Sequence, residues 1–396
     1  MTRLLTAFSH AIDANVAAKE LAASINQGLE GAERLAGGLI LATAAAGMGA
    51  MEVVRLLADG WPSASLFGTS FEGVLAEGRI FRNEPAYALL AWPEGPYEPV
   101  PLVFPPGGQD AVHIAEEILD ASGRQELARG DLVLLFPDAL ACVRLDQLLA
   151  DLGPLLGQAS LAGAAAMGVD GHPAGAFFAE ESQVGALMGL FLPDIPTGGA
   201  SRVRCAGASR AASPWLEITS CRSHWVDALE GEPPLDWVRR QLGLEHDSPI
   251  EPHLDHLLAR IQRRGAGGVE DRTVDYEERY IVGVDDRRGS FSLLGTFRRG
   301  DHLALALPDA NWARETLRAS IDELPETALI LQFACRARDE AFYGDPDLES
   351  ALVAHHVSAR QVLGTVSPFQ FAMRDGGACR LIVNSTVLAA LGDQQT

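Results

Sequence analysis

A thiol and two guanidinium groups stand together where an apolar segment ends. The segment "ALILQFACRARDEAFYGD" (328–345) runs through apolar residues and then reaches Cys335, Arg336 and Arg338. Neighbouring cations lower the pKa of a cysteine thiol and expose a nucleophilic thiolate. A guanidinium at a strand end can instead bind a carboxylate through two hydrogen bonds. These residue types therefore indicate either nucleophilic chemistry or the binding of a small anion.

Three interpretations of Cys335 are open. As the nucleophile of a hydrolase or transferase it would need a positioned base, and His355 and His356 follow on a helical segment, but no Cys-His protease signature is present. It could instead line a ligand site, or it could be a buried structural thiol. Alternation along a strand places Cys335 and Phe333 on one face and Arg336 on the other. At most one of the arginines then faces the site together with the thiol.

Arg338 is the stronger candidate for ligand binding. Its position at the carboxyl end of a predicted parallel strand suits the carboxylate of an amino acid or a small acid. The alternative is a salt bridge to Glu349 or Asp339, which leaves the guanidinium with a structural role.

Three segments of the chain share one order of elements. Each has an apolar strand, a helix and a second strand with a glycine near its end; the segments are 37–75, 131–168 and 328–367, and the glycines are Gly68, Gly163 and Gly364. The spacing of roughly 30 to 35 residues from apolar run to glycine fits a parallel crossover rather than a hairpin. We therefore predict duplication within the chain and strands that are buried on both faces.

Two of these strand ends carry groups that could orient a polar ligand. Gly68, Thr69 and Ser70 in the first segment, and Gly364 and Thr365 in the third, offer backbone N–H groups and hydroxyls. The alternative is that the glycines only let the strands pack closely or turn.

The middle of the chain has a different pattern. The Gly-, Pro- and Ser-rich stretch 192–215 is the best domain boundary, and 280–307 predicts three short strands in an antiparallel meander. The predicted fold class is α/β, with repeated strand-helix-strand units in mixed sheets and this meander in the C-terminal half.

Composition limits the possible functions. The 396 residues carry a formal charge of −22, which disfavours a nucleic-acid partner because phosphate binding needs a basic face. Five scattered cysteines without a C-x-x-C pair argue against a disulfide framework and a structural zinc site. No apolar run is long enough to insert into a membrane, so we expect a cytoplasmic protein, and the residues indicate no metal or cofactor.

The ordered set of motifs resembles the FIST family over roughly residues 10 to 391. "GTSFEG" (68–73) is similar to a Gly-Cys-Ser-Thr-Ala-Gly-Glu strand end of the family, with Thr69 in place of the cysteine. "ALEGEPPLDWV" (228–238) resembles the turn that opens the family's second part. Cys335 and Arg338 supply its Cys-x-x-Arg, and Asn384 to Thr386 supply its Asn-x-Thr.

The resemblance implies two α/β domains, an N-type domain over 1–195 and a C-type domain over 205–396. It also implies a sensory, ligand-binding role in signal transduction, with amino acids or small carboxylates as ligands, a downstream signalling protein as partner and no established enzymatic activity. The alternatives are a Cys335-dependent enzyme and a scaffold that binds no ligand. The residues expected to bind the ligand are Arg338, Cys335, Gly68, Thr69, Ser70, Gly364, Thr365, Asn384 and Thr386.

Overall fold

The chain divides into two compact units. The computed structural model describes residues 3–31, 33–95, 98–106, 110–140, 145–168, 174–193, 202–246, 248–264, 276–325, 327–357, 361–373 and 379–391. Unit 1 comprises Met1–Ala206, Thr316–Arg380 and Ser385–Thr396, and unit 2 comprises Gly207–Glu315 and Leu381–Asn384. The predicted boundary at 192–215 lies partly outside the described residues, and the division into domains 1–195 and 205–396 stays a prediction.

Unit 1 contains three copies of one order of elements, β-α-β-α-β-β-β-β. Copy one consists of β1 (Leu5–Ser9), α1 (Ala14–Gly28), β2 (Leu35–Thr43), α2 (Met48–Gly60), β3 (Ser65–Phe71), β4 (Gly73–Ala76), β5 (Arg79–Arg82) and β6 (Tyr87–Pro93). Copy two consists of β7 (Val100–Phe104), α3 (Ala111–Ser122), β8 (Leu132–Phe136), α4 (Leu145–Leu155), β9 (Ser160–Ala164), β10 (Gly175–Phe178), β11 (Ser182–Val184) and β12 (Leu187–Leu192).

Copy three begins with β13 (Val203–Gly207) and is then interrupted by the elements of unit 2. These are β14 (Ser209–Ala211), β15 (Leu216–Arg222), β16 (Trp225–Leu229), α5 (Pro234–Leu242), β17 (Leu258–Gln262), β18 (Glu277–Asp285), β19 (Ser290–Leu293) and β20 (His302–Pro308). Copy three continues with α6 (Ala310–Asp322), β21 (Leu329–Cys335), a short extra helix α7 (Glu340–Tyr343), α8 (Leu348–His356), β22 (Gln361–Ser367), β23 (Gln370–Met373), β24 (Arg380–Ile382) and β25 (Ser385–Leu391). The divisions between the units fall within β13, α6 and β24, so parts of these elements of copy three belong to unit 2.

The three predicted strand-helix-strand segments are confirmed as parallel crossovers. Strands β2 and β3, β8 and β9, and β21 and β22 pair in parallel, and each pair is connected by one helix of its copy, with α7 added in copy three. The first helix of copy one begins at Ala14, where the Asp13 side chain accepts hydrogen bonds from the backbone N–H groups of Asn15 and Val16.

The repeated glycines occupy one equivalent position. Gly68 lies opposite Ile40 in its parallel pair, and Gly364 lies opposite Gln332 in the third copy. A Cβ at Gly68 would lie 2.5 Å from the carbonyl oxygen of Ile40, and a Cβ at Gly364 would lie closer still to that of Gln332. Gly163 has the same relationship to Leu135 of β8 in the second copy. Any side chain at these positions would meet the backbone of the neighbouring strand, which explains why each copy has a glycine there.

The copies are joined by exchanged hairpins. Each copy builds a six-stranded sheet from its own first, last, second and third strands, in that order, and then receives a hairpin from another copy. The sheet orders are β1-β6-β2-β3-β10-β11, β7-β12-β8-β9-β23-β24 and β13-β25-β21-β22-β4-β5. Copy one receives from copy two, copy two from copy three, and copy three from copy one. The exchange therefore closes into a ring in which every copy completes the sheet of another.

Unit 2 is an antiparallel barrel. Its sheet runs in the order β14-β20-β15-β16-β19-β18-β17, and an additional pairing of β20 with β17 closes it. The three strands predicted within 280–307 are present, and β18 and β19 form a hairpin. The third strand, β20, pairs with β15 and β17 rather than with β19, because barrel closure brings those strands to its edges.

The predicted fold class is confirmed: the protein is a mixed α/β protein with repeated strand-helix-strand units. No helix in the described ranges is long and apolar enough to cross a membrane.

Candidate functional site

Aromatic side chains from all three copies meet in the core of unit 1. The ring centroids of Phe71 and Phe136 lie 5.5 Å apart, and those of Phe136 and Phe333 lie 6.0 Å apart, both in edge-to-face contact. Each ring lies at or near the carboxyl end of a strand of a parallel pair. The strand ends that carry the predicted site residues of copies one and three therefore converge on a common core.

The predicted hydroxyls of copy one are already engaged. The Thr69 hydroxyl donates to the carbonyl of Gly175 at 3.0 Å, and the Ser70 hydroxyl donates to the carbonyl of Met167 at 2.6 Å. Both acceptors belong to copy two, where the chain leads into the β10–β11 hairpin. The two hydroxyls therefore stabilise the position of the β10–β11 hairpin in the sheet of copy one, where Gly68 pairs with Phe177 of β10.

The equivalent strand end in copy three gathers four polar side chains on one face of the sheet. Thr365 pairs with Phe333, and Ser367 pairs with Cys335. Alternation along the two strands therefore puts Thr365, Ser367 and Cys335 on the face that also carries Phe333. Ser385 directly precedes the residue that pairs with Ala334 and so falls opposite Cys335. We call Cys335, Thr365, Ser367 and Ser385 the strand-end cluster.

The strand-end cluster has unused hydrogen-bonding capacity. Thr365, Ser367 and Ser385 are fully buried, and their hydroxyl oxygens have no hydrogen-bond partner among the residues that the structure describes. A buried polar group without a partner costs about 1–3 kcal/mol, so such groups are uncommon in folded proteins. Three of them at one strand end can form hydrogen bonds with a ligand that reaches them.

Gln370 borders the same strand end. Its amide nitrogen donates to the carbonyls of Ala334 at 3.0 Å and Ser367 at 3.1 Å, which caps both strands of the parallel pair. Its side-chain oxygen is buried and has no partner within the described part of the chain. Gln370 thus adds a hydrogen-bond acceptor beside the hydroxyls, and sequence reasoning missed it because β23 extends the sheet of copy two.

Cys335 is 1% exposed, and its sulfur lies 3.8 Å from the carbonyl oxygen of Pro368. The thiol is thus as deeply buried as the three hydroxyls of the cluster, and its three interpretations stay predictions.

Arg338 lies in a buried polar network. Its Nε donates to Glu349, one Nη donates to the hydroxyl of Tyr343 at 2.6 Å, and the other donates to the carbonyl of Ala206 at 3.2 Å. The Tyr343 hydroxyl donates to the same carboxylate at 2.8 Å. The salt bridge to Glu349 considered from the sequence is therefore present, and the guanidinium already has a carboxylate partner.

The other oxygen of Glu349 brings in a second predicted residue. The Thr386 hydroxyl donates to it, as does the side-chain amide of Gln332 at 3.2 Å. Thr386 pairs with Ala334, two residues along the strand from Gln332, so both side chains project from the face opposite Cys335. The predicted residues of copy three thus divide between two faces of one sheet, with Thr386 joined to Arg338 on one and Cys335 with Thr365 on the other.

Two predicted residues have backbone roles. Gly364 lies in the close strand contact described above. Asn384 belongs to unit 2, has a positive φ of 50° and accepts a hydrogen bond at its carbonyl from the N–H of Ala208 at 3.0 Å. An asparagine tolerates this left-handed conformation better than most residues do.

Unit 2 contains a separate open groove with a volume of about 550 Å³. It mixes cationic and anionic side chains, and several are paired with one another: Arg239 lies 3.0 Å from Asp286 and 3.5 Å from Asp236. These pairs partly balance the charge of the groove, and none of its described lining residues has a buried side-chain N or O atom without a hydrogen-bond partner.

Comparisons with known proteins give little further guidance. No family model and no curated protein matches the chain. Among solved structures, the chain is similar to the crystal structure of cyanuric acid hydrolase from A. caulinodans, with 10% identity and a TM-score of 0.35 over 98% of this chain and 99% of that chain. A likeness this weak supports no statement about fold or function, and the FIST resemblance stays a prediction.

Proposed function

We propose that the protein binds a small polar ligand at the strand-end cluster of copy three. The observation that carries this proposal is the set of three fully buried hydroxyls, on Thr365, Ser367 and Ser385, without partners among the described residues. A ligand with hydrogen-bond donors and acceptors would satisfy these groups and recover the free energy that their burial costs.

Copy three is favoured over the other two by the same criterion. At the position equivalent to Thr365, copy one has Thr69, whose hydroxyl is already bonded to a carbonyl, and copy two has Ala164, which has no hydroxyl. The repeat thus supplies three equivalent strand ends, of which the third retains a threonine hydroxyl for a ligand.

The proposed binding fits a sensory role of the kind that the FIST resemblance implies. In that role a cytoplasmic protein would pass a ligand-dependent change of conformation to a separate signalling protein. Such coupling requires that the ligand bind one conformation more tightly than another.

Thermal unfolding against a panel of amino acids, hydroxy acids and their amides tests the proposal. A true ligand at a hundredfold excess over its Kd stabilises the folded state by about 2.7 kcal/mol, which raises Tm measurably. The double variant Thr365→Val and Ser367→Ala should lose this response while keeping its fold.

The matched control is Ser122→Ala, which removes a hydroxyl from the last residue of a helix in copy two. It should respond to the ligand as the wild type does. If no compound shifts the Tm of the wild type, or if the double variant responds equally, the strand-end cluster is not a ligand site.

A further inference from the structure

A buried carboxylate from copy two faces the same core as the strand-end cluster. Asp138 lies just beyond the end of β8 and is 2% exposed. Its bridge with Ala166 continues the parallel register of β8 and β9. Alternation therefore puts Asp138 on the same face as Phe136, whose ring contacts that of Phe333. Phe333 shares its face with the strand-end cluster, so the carboxylate and the cluster border one core.

Strand β23 connects the two places. In its antiparallel pair with β9, Gln370 pairs with Ala164, and the same register continued by two residues puts Pro368 opposite Ala166. Ala166 in turn lies opposite Asp138. Because neighbouring strands lie about 4.8 Å apart, the backbones of Asp138 and Pro368 lie about 10 Å apart across three strands.

Pro368 borders the strand-end cluster. It directly follows Ser367 along the chain, and its carbonyl oxygen lies 3.8 Å from the sulfur of Cys335. The carboxylate of Asp138 and the hydroxyls of the cluster are thus separated by little more than the backbone distance between two strands that flank a third. A ligand only a few bonds long spans such a distance.

The groups on this surface accept hydrogen bonds and carry negative charge. The Asp138 carboxylate accepts a hydrogen bond from the N–H of Leu140 at 2.6 Å. The side-chain oxygen of Gln370, on the strand between the two places, is a further acceptor without a partner in the described ranges. A buried carboxylate favours a cationic group beside it and disfavours a second anion.

The neighbouring strands supply no cation of their own. The described strands β8, β9, β21, β22, β23 and β25 contain no lysine, arginine or histidine. Arg336 follows Cys335 and alternates to the opposite face of its sheet. Arg338 is fully buried and bonded to Glu349, so an anionic ligand would have to break that ion pair to reach it.

We propose that the ligand is a small amine without a carboxylate, such as an amino alcohol or an amino amide, whose ammonium group binds to Asp138. Its other polar group reaches the hydroxyls of the strand-end cluster. This inference rests on the proposed function and names the chemical class of ligand for the same site. The class differs from the amino acids and small carboxylates that the FIST resemblance implies, because a ligand carboxylate would lie near Asp138 without a cation to pair with it.

Matched amines and hydroxyl compounds test this selectivity. Ethanolamine, aminopropanol and glycinamide are compared with ethylene glycol, propanediol and glycolamide, so that each pair exchanges an ammonium group for a hydroxyl of similar size. Glycolate is the acidic probe. Thermal shift and titration calorimetry are measured on the full chain at pH 7 and equal ionic strength. We expect at least one amine to bind tenfold or more tightly than its hydroxyl counterpart, and glycolate to bind more weakly than glycolamide.

Asp138→Asn identifies the charge responsible. The asparagine keeps a side-chain oxygen that can accept the hydrogen bond of Leu140. The variant should weaken the binding of the amine by tenfold or more and leave that of the hydroxyl compound nearly unchanged. Asp59→Asn removes the same charge from an exposed position on α2 and should change neither. If Asp138→Asn fails to fold, the wild type still decides, because equal affinities for the two compounds of every pair would contradict the inference.

The outcomes separate the two proposals. If the hydroxyl compounds or glycolate bind as tightly as the amines and the double variant of the cluster loses them all, the amine inference is wrong, while the proposed function stands. The inference is also wrong if the preference for an amine survives Asp138→Asn, or if the double variant still binds the amine. If none of these probes binds but a compound of the wider panel does, only the proposed function stands. If no compound of either set binds, neither proposal survives.

Discussion

The guanidinium of Arg338 and the carboxylate of Glu349 form an ion pair inside unit 1, and the two side chains are 0% and 1% exposed. Burial acts to lower the pKa of Arg338, but the charge and hydrogen bond of Glu349, together with the nearby Tyr343 and Cys335, outweigh burial and the pKa is raised. The arginine therefore stays charged. The pair holds α8 against β21, because Glu349 also accepts a hydrogen bond from Gln332.

Replacing Arg338 with alanine should destabilise the protein strongly. The change leaves the Glu349 carboxylate buried without its charge partner, and breaking a buried pair in this way costs about 3–5 kcal/mol. Urea unfolding measures the loss. Arg336→Ala, at an exposed position, is the control and should change the free energy of unfolding by less than about 0.5 kcal/mol. Equal effects of the two variants would contradict a structural role for the buried pair.

The repeated glycine should not tolerate even one methyl group. Gly364→Ala would drive a Cβ into the carbonyl oxygen of Gln332 on the paired strand, so we expect a loss of about 3 kcal/mol in the free energy of unfolding. Gly60→Ala is the matched control, since nothing lies within 4 Å of a Cβ there. Its stability should be unchanged or slightly raised. A Gly364→Ala protein as stable as this control would show that the strands can separate to admit the methyl group.

The repeated units could be predicted because their signals are local. The apolar runs, the crossover spacing and the glycines at Gly68, Gly163 and Gly364 all lie within short segments, and each follows from the geometry of one parallel pair. The N-cap at Asp13 is a local signal of the same kind.

The pairing between copies could not be predicted in this way. Gly73 pairs with Val366, which lies far along the chain, and nothing in the residues around either position specifies that partner. For the same reason, the sequence did not decide whether Arg338 binds a ligand or forms a salt bridge. Whether Glu349 reaches it depends on how α8 packs against β21, and the residue pattern left both possibilities open.

Acid should weaken unit 2 through Asp227. Its carboxylate accepts two hydrogen bonds from Arg222, both at 2.7 Å, and one from Ser290 at 2.7 Å. The Arg222 hydrogen bonds are the main cause of a pKa below the ordinary value of 3.8. Because the folded-state pKa is lowered, the stabilisation is present above the unfolded pKa and is lost as pH falls through the folded value.

Asp227→Asn should therefore lose about 1–2 kcal/mol of stability near neutral pH and much less at pH 3. Urea unfolding at several pH values measures the difference between the variant and the wild type. Asp59→Asn, at an exposed position on α2, should show only a small effect at any pH. A constant difference for Asp227→Asn across this range would show that its ionisation is not coupled to folding.

Two equivalent threonines should respond in opposite ways to the same substitution. The Thr69 hydroxyl donates to the carbonyl of Gly175, so Thr69→Val should cost about 1 kcal/mol through the lost hydrogen bond. The Thr365 hydroxyl has no partner in the described part of the chain, so the nearly isosteric Thr365→Val should raise the stability of the ligand-free protein by about 1 kcal/mol.

Urea unfolding of the two single variants measures this difference, since each threonine occupies the same position in its copy. A gain for Thr365→Val together with loss of ligand binding would mean that the hydroxyl is retained for binding at a cost in stability. If Thr365→Val is instead destabilised as much as Thr69→Val, the hydroxyl has a structural partner in the folded protein. The strand-end cluster would then lose the observation on which its ligand-binding role rests.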